Sequence, residues 1–134
     1  PRSLSLWWHR VDARSPLRKK LSAPGSSRQD IAKSRCEIEQ ARLLTLAAAD
    51  KLDKLGNKVA KDYIAMIKIV APQMACTVID RSIQIHGAAG LSQDTFLAQA
   101  YQMARPIRLA DGPDEVHMMQ LGRSLAAGYA AMSK

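Results

Sequence analysis

Three carboxylates surround a Gly-Pro pair near the carboxyl end of the chain, in residues 110–115 (ADGPDE). Pro113 suits the first position of a helix, and Asp114 and Glu115 suit the positive end of the helix dipole. Asp111 stands just before this helix start, where a carboxylate can cap free backbone N–H groups or act as a base on a bound ligand. Capping is the commoner role for such an aspartate. The motif alone therefore makes Asp111 a candidate base and no more.

A second stretch with possible chemistry is Gln84-Ile85-His86-Gly87-Ala88, which ends a long apolar segment. Gly87 and Gly90 suit backbone positions that need a positive φ or a close approach by another group. From the residues alone, Gln84 is a polar residue near a helix end. The three histidines of the chain have no ligand-type spacing and no patterned cysteine or carboxylate partner, so no metal site is predicted.

The composition favours one helical domain in a reducing setting. The chain has 134 residues, of which 47% are hydrophobic and only 4% aromatic, so Ala, Leu, Ile and Met must fill the core. Cys36 and Cys76 cannot form the dense disulfide framework of a small secreted domain, so we expect an intracellular protein. No uncharged apolar run approaches the roughly 18 residues of a membrane span, so no transmembrane segment is predicted.

The apolar periodicity predicts helices separated by short turns. Ser27 and Asp30 have the spacing of a helix cap, so a long helix is expected to begin there and to end at Gly56-Asn57. Pro72 does not interrupt the apolar period of the next helix, so we expect a kink and not a break. The predicted helices are 4–11, 27–55, 59–86, 95–103 and 113–130, with a three-residue turn between the two longest. Together they predict an all-α antiparallel four-helix bundle without a sheet.

Each long helix has an apolar stripe that is expected to face the core. On the first, the stripe consists of Ile31, Ser34, Ile38, Ala41, Thr45, Ala48, Leu52 and Leu55. On the second, it consists of Tyr63, Met66, Val70, Met74 and Val78.

Residues 84–126 (QIHGAAGLSQDTFLAQAYQMARPIRLADGPDEVHMMQLGRSLA) resemble the C-terminal helical domain of the FAD-dependent acyl-CoA dehydrogenases. The resemblance rests on a Q-x-x-G-x-x-G block and an acid-Gly block at the family's separation, and it extends over about residues 28–130. It is closest to the subgroup that carries Asp-Gly-Pro-Asp-Glu where better-known members have Glu-Gly. We therefore assign residues 28–134 to this domain and residues 1–27 to a divergent helix and basic loop.

The resemblance implies a role for each motif in FAD chemistry. Asp111 would remove the α-proton of a fatty acyl-CoA while the β-hydrogen leaves as hydride to the flavin, giving the trans-2-enoyl-CoA. Gly112 would contact the substrate, and the remaining residues would contact the cofactor. This cofactor set consists of Arg14, Gln84, Ile85, His86, Gly87, Ala88, Pro113, Asp114 and Glu115, of which Gln84 to Ala88 would reach the flavin of a neighbouring subunit.

The resemblance also implies partners for the whole enzyme. These are an acyl-CoA substrate, an electron-transfer flavoprotein as acceptor, and a second copy of the chain in a dimer or tetramer, in mitochondria or peroxisomes. Family members also have an N-terminal helical domain and a middle β-domain that help to enclose the flavin and the thioester. Neither is in this sequence, so the isolated chain is expected to have little or no activity.

Two other functions remain open at this point. The chain could be a non-catalytic helical module that mediates oligomerisation, because Trp7 and Trp8 point about 100° apart on a helix and one could face a partner. A nucleic-acid function rests only on residues 1–35, which hold nine Lys/Arg against two acids. That segment has no interleaved aromatics and no groove-reading helix, so no nucleic-acid partner is expected.

Overall fold

The computed structural model describes residues 2–13 and 25–133, and they form helices joined by short turns. The helices are α1 (Arg2–Ala13), α2 (Gly25–Leu55), α3 (Asn57–His86), α4 (Ala88–Leu91), α5 (Leu97–Ala104), a 3₁₀-helix (Arg105–Arg108) and α6 (Asp114–Met132). No strand occurs in these two described ranges. The predicted all-α fold is confirmed. Arg14, assigned to the cofactor, lies outside the described residues.

The chain divides into two compact units. The first unit consists of Pro1–Glu39 and Met74–Ala104, and the second consists of Gln40–Gln73 and Arg105–Lys134.

Gly56 alone joins the two long helices. It has a φ of 77°, and its N–H donates to the carbonyl of Leu52 at 3.0 Å. Its own carbonyl accepts from the N–H of Ala60 at 3.1 Å, so α3 begins at once. The predicted three-residue turn is therefore wrong, because one glycine in the left-handed region ends the first helix and leads directly into the next.

Two other helix starts differ from the sequence prediction. Helix α2 begins at Gly25, so Ser27 is a buried residue of its first turn and not its cap. Helix α6 begins at Asp114, and Pro113 is its N-cap with φ −66° and ψ 164°. Pro72 lies buried inside α3, which continues on both sides of it, so the predicted absence of a break is confirmed.

In the first unit, α2 and α3 are joined by a charged hydrogen-bonded cluster. Arg81 donates from Nη1 to Glu37 Oε2 at 2.5 Å and from Nη2 to Glu37 Oε1 at 3.1 Å. Arg81 Nη1 also lies 3.0 Å from Ser34 Oγ, and Ser34 is fully buried. The hydrogen bond that Arg81 donates to the Glu37 carboxylate raises the pKa of Arg81 above its usual value. The guanidinium is thus charged throughout the physiological range, and the bidentate pair fixes the register of the two helices.

The two tryptophans of α1 differ in exposure. Trp7 is fully buried, whereas 46% of Trp8 is exposed. This agrees with the interpretation that one of the two tryptophans is available to a partner.

The second unit packs mainly through small side chains. Ala41 and Ala48 of α2 and Ala60 and Ala65 of α3 are buried. The predicted stripe on α2 is confirmed at the two alanines, but Thr45, Leu52 and Leu55 are exposed. Large apolar side chains are exposed on α6 as well: Val116, Met118, Met119, Leu125, Tyr129 and Met132. Apolar surface of this extent is typical of faces that contact another protein surface.

Helix α3 is long and apolar enough to cross a membrane by length and composition alone. Core helices of soluble proteins can be equally long and apolar. The absence of a transmembrane segment therefore stays a prediction.

Gly90 meets the backbone of α3 so closely that a side chain does not fit. A Cβ atom there would lie 2.7 Å from the carbonyl oxygen of Ile83 and 2.9 Å from its Cα. This confirms the predicted close approach at Gly90, and a φ of 61° confirms the predicted positive φ at Gly87.

Replacing Gly90 by alanine is expected to lower the free energy of unfolding by about 1–3 kcal/mol, because the backbone must shift to admit the methyl group. Gly122→Ala in α6 is the matched control, since a Cβ there meets nothing within 4 Å. It is expected to stabilise the chain by about 0.5–1 kcal/mol through helix propensity. Urea unfolding of both variants measures the difference, and equal midpoints would contradict the close packing at Gly90.

Candidate functional site

The candidate base lies in a short segment between the 3₁₀-helix and α6. The N–H groups of Leu109 and Ala110 both donate to the carbonyl of Pro106, at 2.9 and 2.8 Å. Asp111 and Gly112 then follow with positive φ values of 54° and 93°. Aspartate is one of the few residues that tolerates this left-handed conformation, and glycine adopts it freely. We call residues 107–113, which include the last two residues of the 3₁₀-helix, the base segment.

The side chain of Asp111 is exposed and does not cap α6. The N-cap of α6 is Pro113, and the helix has no side-chain cap hydrogen bond. The capping interpretation of Asp111, which the sequence favoured, is therefore wrong. Two consecutive left-handed residues and an extended proline separate the aspartate from the first helical N–H groups, so its carboxylate is available to a ligand.

Asp111 lies at a mostly apolar groove of about 410 Å³ within the second unit. One face of α3 supplies Ile64, Ile67, Ala71 and Pro72 at helical spacing, and Ile107 is contributed by the base segment. Lys68 and His117 also line this groove, together with Thr45. Apolar walls with a few convergent polar groups are typical of a ligand site. We call this the base groove.

Two side chains bond to the backbone of the base segment. The ammonium of Lys68 donates to the carbonyl oxygens of Ile107 and Ala110, the latter at 2.7 Å. Nε2 of His117 lies 3.2 Å from the carbonyl oxygen of Asp111 and donates to it in the tautomer that carries the proton on Nε2. The carbonyls of the two peptide groups that flank Asp111 are thus contacted by residues of α3 and α6.

An ion pair with a buried carboxylate joins the base segment to the first residue of α6. Arg108 donates from Nε to Oδ2 of Asp114 at 2.6 Å, and only 4% of the Asp114 side chain is exposed. The other oxygen, Oδ1, is buried and has no hydrogen-bond partner among the described residues. A buried acceptor without a donor is costly. The carboxylate can therefore accept one more hydrogen bond from a group outside the described chain.

Gln84 to Ala88 lie in the first unit, at the junction of α3 and α4, whereas residues 111–115 lie in the second. Gln84 and Ala88 are exposed, Ile85 is half-buried, and the N–H of Gly87 donates to the carbonyl of Gln84 at 3.2 Å. His86 is buried, with Nδ1 at 2.8 Å from the carbonyl of Ser82. The side chain of Gln84 is thus the more accessible polar group of this stretch.

Reasoning from the sequence missed Lys68 and Arg108 and weighed His117 only as a metal ligand. Lys68 could have been noticed, because it is the one charged residue in the apolar run 64–71. Arg108 gives no such signal, since it is one of several basic residues near the chain's end. In residues 2–13 and 25–133, no three His, Cys, Asp or Glu side chains are placed to hold a metal ion.

The described residues thus form an all-α domain in which a carboxylate precedes the last helix, beside an apolar groove. The family model "Acyl-CoA dehydrogenase, C-terminal domain" matches residues 2–126 of the chain. The chain therefore belongs to the acyl-CoA dehydrogenase family and corresponds to the C-terminal domain of its members. The narrower Asp-Gly-Pro-Asp-Glu subgroup stays a prediction, as does the separate assignment of residues 1–27.

Relatives support the family at high identity. The chain is 51% identical over 123 residues to the "Probable acyl-CoA dehydrogenase FadE2" of Mycobacterium tuberculosis, covering 92% of this chain and 30% of the relative. It is 54% identical over 122 residues to "Acyl-CoA dehydrogenase family member 10" of Mus musculus, covering 91% of this chain and 11% of that protein. The chain thus spans less than a third of the length of either relative.

Solved structures share the fold. A structure described as an acyl-CoA dehydrogenase from Mycobacterium abscessus has a TM-score of 0.91 at 46% identity, covering 95% of this chain and 31% of that one. Butyryl-CoA dehydrogenase from Megasphaera elsdenii has a TM-score of 0.83 at 27% identity, covering 92% and 32%. An FAD complex of PigA has a TM-score of 0.84 at 25% identity, covering 93% and 32%.

Proposed function

We propose that the protein to which this chain belongs is an FAD-dependent oxidoreductase that converts fatty acyl-CoA to trans-2-enoyl-CoA, with Asp111 as the base. The observation that carries the proposal is the exposed Asp111 carboxylate beside the base groove. An alkyl chain suits the apolar wall of the groove, and a carboxylate at its edge suits the removal of a proton from the carbon next to a thioester. The family membership of the chain supports this reaction.

The residues of this chain would act on one side of the reaction. Asp111 takes the α-proton, so one C–H bond breaks and an O–H bond forms on the carboxylate. Bound FAD would supply the acceptor for the hydride that leaves the β-carbon. Aspartate is one methylene shorter than the glutamate of better-known members, so the thioester must come closer to the backbone. Gly112 suits that approach because it has no side chain and a φ of 93°.

Each of the two units has one polar group that suits a contact with FAD. The orphaned Oδ1 of Asp114 needs a hydrogen-bond donor, and FAD offers hydroxyl and amino groups. A carboxylate does not suit the pyrophosphate, which is itself an anion. The accessible carboxamide of Gln84 can both donate and accept. Family membership and the FAD complex among the structural neighbours support FAD as the cofactor.

The finer assignments follow from the sequence resemblance and stay predictions. They are the acyl-CoA substrate, the electron-transfer flavoprotein, the dimer or tetramer with a flavin site shared between subunits, and the mitochondrial or peroxisomal location. Cofactor contacts are likewise only predicted for Arg14, Ile85, His86, Gly87, Ala88, Pro113 and Glu115.

Anaerobic titration of the full-length protein with acyl-CoAs of graded chain length tests the proposal. Loss of the absorbance of oxidised flavin is expected with the full-length protein. None is expected with the 134-residue chain and added FAD, because the chain spans less than a third of the relatives' length and the reaction needs flavin, thioester and base held together away from water. A full-length protein that binds FAD but reduces it with no acyl-CoA would contradict the proposed activity.

The exposed apolar side chains of α6 favour a second candidate, a helical module that mediates only oligomerisation. Light scattering of the full-length protein with and without FAD separates the two candidates. An oligomer that forms equally well without FAD, together with no flavin binding, would favour the module.

A further inference from the structure

Lys68 is a charged residue on an otherwise apolar helix face. The same face of α3 presents Ile64, Ile67 and Ala71 to the base groove. The ammonium of Lys68 donates to the carbonyl oxygens of Ile107 and Ala110, which are 39 and 42 residues further along the chain. Lys68 therefore links the wall of the base groove, through these hydrogen bonds, to the segment that carries Asp111.

The base segment needs such a tie because its conformation is unfavourable. Asp111 and Gly112 are two successive residues with positive φ. Aspartate adopts the left-handed conformation more readily than most residues other than glycine, but the conformation still costs free energy that contacts with the surroundings must offset. The backbone hydrogen bonds from Leu109 and Ala110 to Pro106 are local. They give the segment its turn, but they do not fix its position against α3.

Lys68 and His117, the two side chains that bond to the base segment, act at neighbouring peptide groups. Lys68 binds the carbonyl of Ala110, and His117 lies within hydrogen-bond distance of the carbonyl of Asp111. His117 belongs to α6, which continues directly from the base segment, whereas Lys68 belongs to α3. Of these two side chains, Lys68 is therefore the one whose hydrogen bonds connect the segment that carries the base to helix α3 of the groove wall.

We propose that Lys68 is the positioning residue of the base: its ammonium holds the carbonyls of Ile107 and Ala110 so that the Asp111 carboxylate stays at a fixed distance from the apolar wall. This inference rests on the proposed function of Asp111. The α-carbon of a bound thioester and the carboxylate must be in near-attack geometry, and a misplacement of about 1 Å costs roughly 10²-fold in rate. Lys68 acts through the backbone and does not touch the substrate.

The chemistry of a lysine suits this role. An ammonium is a compact group with three donors, so it can reach two carbonyl oxygens at once. Methionine has a similar length and no donor. Arginine keeps the charge and several donors in a planar arrangement, so it is expected to restore part of the function.

The test uses the full-length protein with bound FAD and compares Lys68→Met, Lys68→Arg and Lys61→Met. Lys61 is an exposed lysine of the same helix and serves as the control. In Lys68→Met, the rate of flavin reduction at saturating acyl-CoA is expected to fall about 100-fold. The FAD content and the KM are expected to stay close to the wild-type values. Lys68→Arg should recover part of the rate, and Lys61→Met should match the wild type.

A second measurement does not depend on activity. Amide hydrogen exchange of residues 109–112 is expected to be faster in Lys68→Met than in Lys61→Met, because the segment opens more often without its tie to α3. Equal rates and equal exchange in these two variants would overturn the proposal. A parallel loss of FAD, KM and melting temperature in Lys68→Met, without rescue by arginine, would also overturn it in favour of a purely structural role. If the wild type reduced no flavin while exchange still rose in Lys68→Met, the proposed function would fail and the tie itself would stand.

Discussion

Replacing Asp111 by asparagine in the full-length protein is expected to slow flavin reduction by acyl-CoA about 10²- to 10⁴-fold, the usual contribution of a general base. Asparagine has nearly the shape of aspartate and tolerates the left-handed conformation at position 111, so the base segment should keep its structure. What the variant loses is an oxygen that can accept the α-proton. Stopped-flow absorbance of the flavin measures the rate directly.

Asp111→Asn is expected to bind the substrate as the wild type does. The walls of the base groove come from α3 and Ile107, and none of these residues is altered. The dissociation constant of an acyl-CoA is therefore expected to stay close to that of the wild type. Asp53→Asn, at an exposed position of α2, is the matched control and should leave the rate unchanged. An Asp111→Asn variant that reduces flavin as fast as Asp53→Asn would show that the proton goes elsewhere.

The sequence predicted the helices well because their signals are local. Apolar periodicity and the glycine at position 56 located both long helices to within two residues of their observed bounds. The helix starts were less predictable. Ser27 has the residue type of a cap, but α2 begins at Gly25, and packing of the first turn leaves the serine buried. The capping propensity of a single residue does not determine at which residue a packed helix begins.

The core was predicted less well than the helices. Val78 is buried as expected, but 38% of Val70 is exposed, and the small residues Ala60 and Ala65 are buried. An apolar stripe on a helix that is apolar on more than one side does not say which side faces its own domain. The burial of alanines and the exposure of leucines depend on which helices meet, and that is information that periodicity does not contain.

At the candidate site, the sequence indicated the residue types but not the contacts. It placed carboxylates at positions 111, 114 and 115, yet Asp111 is exposed whereas Asp114 is 4% exposed. The difference arises because Arg108 pairs with Asp114, six residues further along the chain. The sequence spacing of these two residues does not predict that pair. The role of Lys68 depends on a contact across 42 residues, so only the fold could reveal it.

Replacing Arg108 by methionine is expected to lower the free energy of unfolding by about 3 kcal/mol, the lower part of the range for breaking a buried pair. The buried carboxylate of Asp114 would then lose its charge partner at Oδ2. Its other oxygen, Oδ1, already has no hydrogen-bond partner among the described residues. The lower part of the range applies because 32% of the Arg108 side chain is exposed, so water can reach part of the site. Urea unfolding of the 134-residue chain measures the loss.

Two further variants separate the ion pair from the general effect of losing a charge. Arg105→Met removes an exposed arginine from the same 3₁₀-helix and should change the free energy of unfolding by no more than about 0.5 kcal/mol. The double variant Arg108→Met/Asp114→Leu removes both charges, so it should recover much of the loss seen in Arg108→Met. If the double variant were less stable than Arg108→Met, the cost would come from the packing of the segment and not from a stranded carboxylate.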